Sequence, residues 1–577
     1  MYILGLNAFH GDSSACILKD GVIQIAIEEE RIRRVKHWAG FPIEAIKFCL
    51  KDCGISIYDI DHITISKDPM VNKLKKIRHT LVNSSFTKST IQRILNARKI
   101  NSIKEMLALG LKINENSITA QIHNIEHHRS HLASSFYASG FKNSALLSID
   151  GFGDFTSTMT AIGKNEDIEV LDSLLYPHSL GLFYTAFTQY LGFPNYGDEY
   201  KIMGLAPYGK NAFEKELSDV IQFSENGFFE LNLAYFIHHK EGVKMTWDGG
   251  VPEIEPVYSD KLIEIFGSAR LKDEPLTDYH RNLATSVQCK TEEIMLHVIN
   301  NLYYKTKLDS LCIAGGVAQN SVVNGKILQK TKFKQLYIPP AGHDAGTAIG
   351  SAMFLYHHVL KHPTVGSMES GALGSKFSDQ EIETFLDSVS ADYQKLTASE
   401  IDHKVTDCII AGGVIGWFQG RAEFGPRALG HRSILADPRR ADAKEILNTK
   451  IKRRESFRPF APSILKEYVS EYFEGADSVP FMEKVYPVKE DKKLIIPAVT
   501  HVDGTGRLQT VNKNTEPRYH ALISAFFNKT GVPVLLNTSF NENEPIVNSP
   551  EDAWKCFFRT QMDMLVLENY LIIRKSY

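Results

Sequence analysis

Short apolar runs interrupted by polar turns punctuate the N-terminal part of the chain. Tyr2 to Asn7 is largely apolar, breaks at Ala8-Phe9-His10-Gly11-Asp12, and resumes from Ser14 to Leu18 before Lys19-Asp20-Gly21, which favours a hairpin turn. This pattern predicts strand, polar turn, strand. It recurs as Ala145-Leu146-Leu147-Ser148-Ile149-Asp150, then Gly151-Phe152-Gly153-Asp154, then Thr156 to Ile162. The recurrence reads as an internal duplication. Further on, Leu311-Cys312-Ile313-Ala314 predicts a buried strand running into Gly315-Gly316-Val317-Ala318-Gln319-Asn320. Two glycines there let a backbone turn approach a ligand, and the free N–H groups of a following helix would favour a phosphate or ribose.

Two facing hairpins with polar turns are what the duplicated ribonuclease-H-like fold of actin, sugar kinases and Hsp70 would present, so the N-terminal part is expected to be an α/β domain of that class. Composition shifts to Gly, Ser, Pro and Thr near Thr364 to Ser378, before a helical pattern starting at Asp379 and an apolar run from Cys408 to Trp417. The expected division is a two-lobed domain over residues 1–362, a linker over 363–378 and a second domain over 379–577. Within the first domain, 69–112 carries Lys73, Lys75, Lys76, Arg78, Lys88, Arg93, Arg98, Lys99, Lys104 and Lys112 against the single acid Glu105. Its Leu and Ile spacing suggests helices, hence a solvated helical insertion or a face for an anionic acceptor.

With 577 residues and 43% hydrophobic content the chain can bury at least two cores, and a formal net charge of −3 lacks the cationic surface that non-specific nucleic-acid binding requires. Cys16, Cys49, Cys53, Cys289, Cys312, Cys408 and Cys556 are scattered; Cys49 and Cys53 have no second pair with which to complete a zinc finger. No stretch stays apolar for a bilayer's thickness and the start has no basic leader, so a cytoplasmic protein without a membrane span is expected.

Two regions carry chemistry. His127 and His131 are four residues apart, the spacing that puts both imidazoles on one face of a helix. Asp150 at a strand end and Asp344 in a later turn can add oxygen ligands, and two nitrogens with two oxygens suit iron(II), zinc or manganese. The second region, Arg421 to Arg458, holds eleven lysines and arginines and five acids among glycines and prolines that keep it out of long helices. Pro426 and the His431-Arg432 ending rule out a Walker loop. Arg427 can grip phosphate oxygens in pairs, Lys452 adds a point charge, and Arg458 closes from the Phe457-Arg458-Pro459-Phe460 turn. Leu535-Leu536-Asn537-Thr538-Ser539-Phe540-Asn541 ends an apolar strand in hydroxyl and amide groups able to bind an amide or phosphate.

The motifs Ala26-Ile27-Glu28-Glu29-Glu30-Arg31, His127-His128-Arg129-Ser130-His131, Asp150-Gly151-Phe152-Gly153-Asp154, Lys201-Ile202-Met203-Gly204-Leu205-Ala206-Pro207-Tyr208-Gly209, Gly315-Gly316-Val317-Ala318, Gly425-Pro426-Arg427-Ala428-Leu429-Gly430 and Phe457-Arg458-Pro459-Phe460-Ala461-Pro462 occur in this order. Over essentially its whole length the chain thereby resembles the NodU and TobZ type of O-carbamoyltransferases. The resemblance implies a TsaD-like N-terminal domain and a YrdC-like α+β C-terminal domain. It implies two steps: carbamoyl phosphate and ATP, with Mg²⁺, give carbamoyl adenylate in the C-terminal domain. The carbamoyl group then passes, sheltered, to a hydroxyl of a small-molecule acceptor such as a sugar or natural product in the N-terminal domain. By motif, His127, His131, Asp150 and Asp344 fall at the iron(II) ligand positions. Arg427, Lys452, Arg454, Arg458, Arg507, Asn537, Ser539 and Asn541 fall where carbamoyl phosphate and ATP are held. His10 stands at the family's histidine position, suited to take the acceptor's proton. Glu199, Lys201, Gly204, Gly315, Gly316, Asn320 and Asn324 fall beside the adenylate, the first three around a turn at Met203-Gly204-Leu205. Ser134-Ser135 stand where the family often has alanines.

A sugar kinase would leave the arginine-rich region idle and needs no histidine pair. Hydrogenase-maturation carbamoyl transferases carry cysteine-paired zinc modules that this chain lacks. A tRNA threonylcarbamoyl-type transferase is the closest alternative, and the near-neutral charge argues against its RNA surface. The sequence leaves the oligomeric state open, a homodimer being one possibility.

Overall fold

The computed structural model describes residues 1–76, 103–246 and 249–574. It divides into two compact units, Met1–Met368 and Glu369–Tyr577.

In the first unit two five-stranded sheets repeat one topology. β1 (Tyr2–Asn7), β2 (Ser14–Lys19) and β3 (Val22–Glu28) form an antiparallel meander; β4 (His62–Ile65) and β5 (Gln121–Asn124) add in parallel beside β1, for the order β3-β2-β1-β4-β5. The second sheet has the meander β6 (Asn143–Gly153), β7 (Thr156–Lys164) and β8 (Asp167–Leu175), and strands Ser310–Ala314 and Gln335–Tyr337 add in parallel beside β6. β1 reads as a nearly unbroken apolar run because it is buried on both faces; Leu4, Leu6, Ile17 and Ile25 pack with Ile46, Ile63 and Leu107 in the first sheet's core. The strand read as ending at Asp150 continues to Gly153. Its pairing with β7 slips between Ile149 and Gly153, which puts Asp150 at an irregularity free to turn its carboxylate inward.

Helix His127–Ser139 has almost no exposed face: eleven of its side chains are buried, from His127 to Ala138. It packs on helix Thr347–Met353 at glycine range, since a Cβ on Gly350 would stand 1.8 Å from the Ser130 carbonyl oxygen. Ser134 and Ser135 turn their hydroxyls back onto the His131 and Leu132 carbonyls at 2.8 and 3.0 Å, which lets serines occupy a buried helix face. Gly350→Ala forces two backbones apart and is expected to destabilise the unit by ~1–3 kcal/mol, read as a lowered melting temperature.

Two expectations change. Met203-Gly204-Leu205 is not a turn but the end of helix Glu199–Leu205; Pro207 in the succeeding 3-10 turn, Ala206–Tyr208, is what stops it. The apolar run Cys408 to Trp417 is two elements, the end of helix Ala398–Ile410 and strand Ile415–Phe418, separated at Gly412 with φ +94. In the basic run, Arg78, Lys88, Arg93, Arg98 and Lys99 lie outside the described residues, while residues 73–76 and Ile103–Leu111 are helical.

The second unit is built on a nine-stranded mixed sheet whose centre is Ile415–Phe418, Arg432–Ala436, Val534–Ser539 and Ala461–Leu465. Trp417, Phe418, Ile434 and Leu535 are buried in its core. The whole chain is thus α/β with mixed sheets. Among the described residues no helix is long and apolar enough to cross a membrane.

Candidate active site

One turn of helix brings His127 and His131 side by side, their Nε2 atoms 3.1 Å apart. His127 Nε2 lies 3.1 Å from Asp150 Oδ2 and 3.5 Å from Asp344 Oδ1, and His131 Nε2 lies 3.6 and 3.4 Å from the same two oxygens. All four ligand atoms fall within 4.8 Å of one another. A cation with bonds of about 2.1 Å has ligand-to-ligand edges of roughly 3.0 to 3.4 Å, so these spacings outline a coordination shell. Two imidazole nitrogens facing each other also require something positive to share. The donor set fits a borderline divalent metal such as iron(II), zinc or manganese.

The electrostatics agree. Burial would drive the His131 pKa down, yet hydrogen bonds to Asp150 and Asp344 and the charges of both push it up to about 9. Burial likewise opposes ionisation of Asp150, but His127 and His131 hold it well below the usual carboxylate range. A positive charge therefore belongs at the centre of this cluster. His128, between the two, is not part of it: its ring nitrogens face Ser148 Oγ at 2.7 Å and the Thr156 carbonyl at 2.9 Å, and burial lowers its pKa to about 3.

The supports of this tetrad explain two sequence features. Gly316 N–H donates to Asp150 Oδ1 at 2.8 Å, leaving Oδ2 for the histidines. A Cβ on Gly315, where φ is +105, would strike the Ile149 carbonyl at 2.1 Å, and one on Gly316 would strike Asp150 Oδ1 at 2.7 Å. The glycine pair thus seats a carboxylate. His10 reaches the tetrad from the β1–β2 turn: its Nδ1 is 3.0 Å from Asp344 Oδ2, while its Nε2 is buried with no hydrogen-bond partner. Asp154 Oδ2 accepts from the His127 backbone N–H at 3.0 Å.

Around this centre lie the other residues read as nucleotide-binding. Asn320 caps helix Ser321–Lys330 and exchanges hydrogen bonds with Gln288 at 2.9 and 3.1 Å; Gln288 accepts from Tyr184. Asn324 donates to the Ala318 carbonyl at 2.7 Å. Ser321 Oγ sits 3.7 Å from Met203 Sδ, joining the Gly204 helix to the glycine turn. Glu199 accepts from Thr185, and Lys201 pairs with Asp198 at 2.9 Å.

A second group went unread in the sequence: Asp12, Glu30 and His37. His37 Nδ1 is 2.8 Å from Asp12 Oδ1, and its backbone N–H donates to Glu30 at 2.7 Å. Burial would lower the His37 pKa, but the neighbouring Asp12 carries it up to about 9. Asp12 has φ +58 and Phe9, in the same turn, φ +66, a local hint that the turn is shaped for a purpose.

In the second unit Lys452 is buried, and its ammonium donates to the carbonyl of Ser539 at 2.5 Å and to the carbonyl and side-chain oxygen of Asn541 at 2.8 and 2.6 Å, which brings three of the predicted anion-binding residues together. Arg427, Arg458 and Arg507 form a second set. Burial and the Arg507 charge lower the Arg427 pKa to about 9, burial and the Arg458 charge lower that of Arg507 to about 10, and Arg507 Nε has no hydrogen-bond partner. Buried guanidiniums that repel one another call for an anion. Arg454 stacks on Phe460 and donates to Asn448, which also donates to the Arg458 carbonyl. Asn537 instead braces the sheet, donating to the Ala428 carbonyl, Ser463 and Gln509. The Arg427 loop hangs on an acid the sequence reading passed over: Glu423 Oε1 accepts the N–H groups of Leu429, His431 and Arg432 at 2.6, 2.9 and 3.2 Å.

Known proteins are similar to this chain in sequence. Residues 2–353 match the family model of the carbamoyltransferase N-terminus and 406–574 that of the carbamoyltransferase C-terminus. The uncharacterized protein sll1178 of Synechocystis is 40% identical, over 100% of this chain and 97% of its own length. The nodulation protein NolNO of Sinorhizobium fredii is 38% identical over 99% of this chain and 80% of its own length. The 3'-hydroxymethylcephem-O-carbamoyltransferase of Amycolatopsis lactamdurans is 36% identical, over 44% of this chain and 47% of its own length. The chain belongs to the carbamoyltransferase family, of the NodU and NolO type, and is an enzyme.

Proposed function

We propose that the chain is an ATP-dependent O-carbamoyltransferase. Its C-terminal domain, YrdC-like and covering 379–577, joins carbamoyl phosphate and ATP into carbamoyl adenylate. Its N-terminal domain, covering 1–362, transfers the carbamoyl group to a hydroxyl of a small-molecule acceptor. The observation that carries the reading is the convergence of His127, His131, Asp150 and Asp344 on one point beside His10.

In the first step water cleaves carbamoyl phosphate into carbamate and inorganic phosphate, and the carbamate oxygen attacks the α-phosphorus of ATP, expelling pyrophosphate. Arg427, Arg458 and Arg507 supply the positive charge that the phosphates need, and the Lys452, Ser539 and Asn541 cluster shapes the rim. Carbamoyl adenylate is a mixed anhydride that water destroys, so a protected second step follows.

In that step the acceptor oxygen attacks the carbamoyl carbon and AMP leaves. His10 is set to take the hydroxyl proton: Asp344 fixes Nδ1 as the donor, which leaves the lone pair of Nε2 free as the base. Iron(II) or another divalent metal held by the tetrad would supply Lewis-acid stabilisation to the carbamoyl oxygen. Asp150, oriented by Gly316, and Asp344, oriented by His10, keep the donor atoms aimed.

The test is incubation with carbamoyl phosphate and ATP. Pyrophosphate and inorganic phosphate are expected together, each dependent on carbamoyl phosphate; ATP turnover indifferent to it overturns the proposal. Removing divalent metal with a chelator and restoring Mg²⁺ is expected to leave this release in place while carbamoylated products, followed by mass spectrometry in an acceptor screen, disappear.

A further inference from the structure

We propose that Lys67, which no sequence motif singled out, binds the phosphate of the adenylate and stabilises it as the carbamoyl group departs; this rests on the two-step reading above. β1 and β4 are parallel neighbours in the first sheet, paired up to Leu6 and Ile65. In open α/β sheets the crevice beyond the carboxyl ends of such strands is where ligands bind. β1 sends out the turn that carries His10, and β4 sends out Ser66 and Lys67.

Hydrogen bonds hold this corner from both sides. Ser66 Oγ donates to Asn7 Oδ1 at 3.2 Å and accepts from Thr347 Oγ1 at 2.8 Å; Thr347 also donates to the Asp344 carbonyl at 2.6 Å. Asn7 in turn donates to the Asp12 carbonyl at 2.8 Å. On the far side the Asp68 N–H donates to Asp154 Oδ2 at 2.8 Å, the same oxygen that accepts from the His127 N–H. Lys67 is therefore strapped between the loop of one tetrad carboxylate and the start of the helix bearing both histidines.

Its ammonium has no hydrogen bond or ion pair among the described residues. It feels the charges of Asp154 and Asp344, but burial outweighs them and holds its pKa below the ordinary lysine value. A partly buried cation at the tetrad with its donors unused suits an anionic oxygen arriving with the substrate. The phosphate is that anion, and its negative charge grows as the bond to the carbamoyl carbon breaks and AMP leaves.

The test titrates AMP and adenosine into the full chain in the presence of Mn²⁺, in an Arg458→Ala/Arg507→Ala background that removes the guanidinium set of the C-terminal domain. AMP is expected to bind more tightly than adenosine. Lys67→Met should close that gap by about tenfold to a hundredfold, adenosine binding staying the same, while Lys67→Arg keeps most of it. Thermal unfolding of each variant controls for folding. An AMP preference undiminished in Lys67→Met, or no preference before the substitution, overturns the proposal. Carbamoyl-phosphate-dependent pyrophosphate release by the unmutated protein is scored separately: its absence sinks the two-step reading, whereas a phosphate preference that depends on Lys67 stands without it.

Discussion

Asp344→Ala and His127→Ala are expected to lower carbamoyl transfer by at least about a thousandfold while carbamoyl-phosphate-dependent pyrophosphate release continues at nearly the unmutated rate. Each change removes one corner of a shell whose edges to the histidines are 3.1 to 3.6 Å, and Asp344→Ala also takes away the partner of His10 Nδ1. Arg458→Ala should do the reverse: pyrophosphate release fails because one of three neighbouring cations is gone, while the metal content of the protein is unchanged. The pair of measurements is pyrophosphate release and metal stoichiometry on the same preparations. Equal loss of both activities in all three variants would count against a division of labour between the domains.

The second large effect concerns pH. In the metal-free protein His131 carries a proton up to about pH 9, and a metal must displace it. Apparent metal affinity should therefore rise about tenfold per pH unit from near 6.5 to about 9 and level off above. Stability of the metal-free protein has the opposite slope. A histidine whose pKa is raised on folding stabilises the fold fully below its unfolded value of 6.5, and that contribution, ~3 kcal/mol, is lost as pH rises through about 9. Metal titrations and thermal unfolding at pH 6.5, 7.5 and 8.5 check both slopes; an affinity indifferent to pH shows that His131 is not protonated in the metal-free protein.

Much of the fold was readable because its signals are local. The hairpins at Lys19-Asp20-Gly21 and at Gly153-Asp154 announce themselves through runs a few residues long, and the His127–His131 spacing needs only one turn of helix. Gly204 misled because glycine marks turns more often than helix interiors, and here Pro207, three residues later, did the stopping. The Asp12–His37 pair spans 25 positions and has no periodicity to betray it. Glu423 was passed over as a stray acid in a basic stretch, whereas its three backbone N–H partners give it the task of shaping the Arg427 loop. Lys67 was invisible for another reason: what distinguishes it is the lack of a partner among the described residues, and that is a property of surroundings rather than of letters.

The tetrad gathers its members from a wide span, and the Ser14 hydroxyl near the start of the chain donates to the Ala345 carbonyl, 331 positions away. During synthesis the first sheet's hairpins can close early, but the Asp150 carboxylate waits for Gly316, 166 positions further on, and the His127–Ser139 helix has no Gly350 to lie against until later still. A nascent chain halted before Asp344 therefore leaves the ribosome with a helix built for burial and two histidines unsheltered, a natural client for a chaperone.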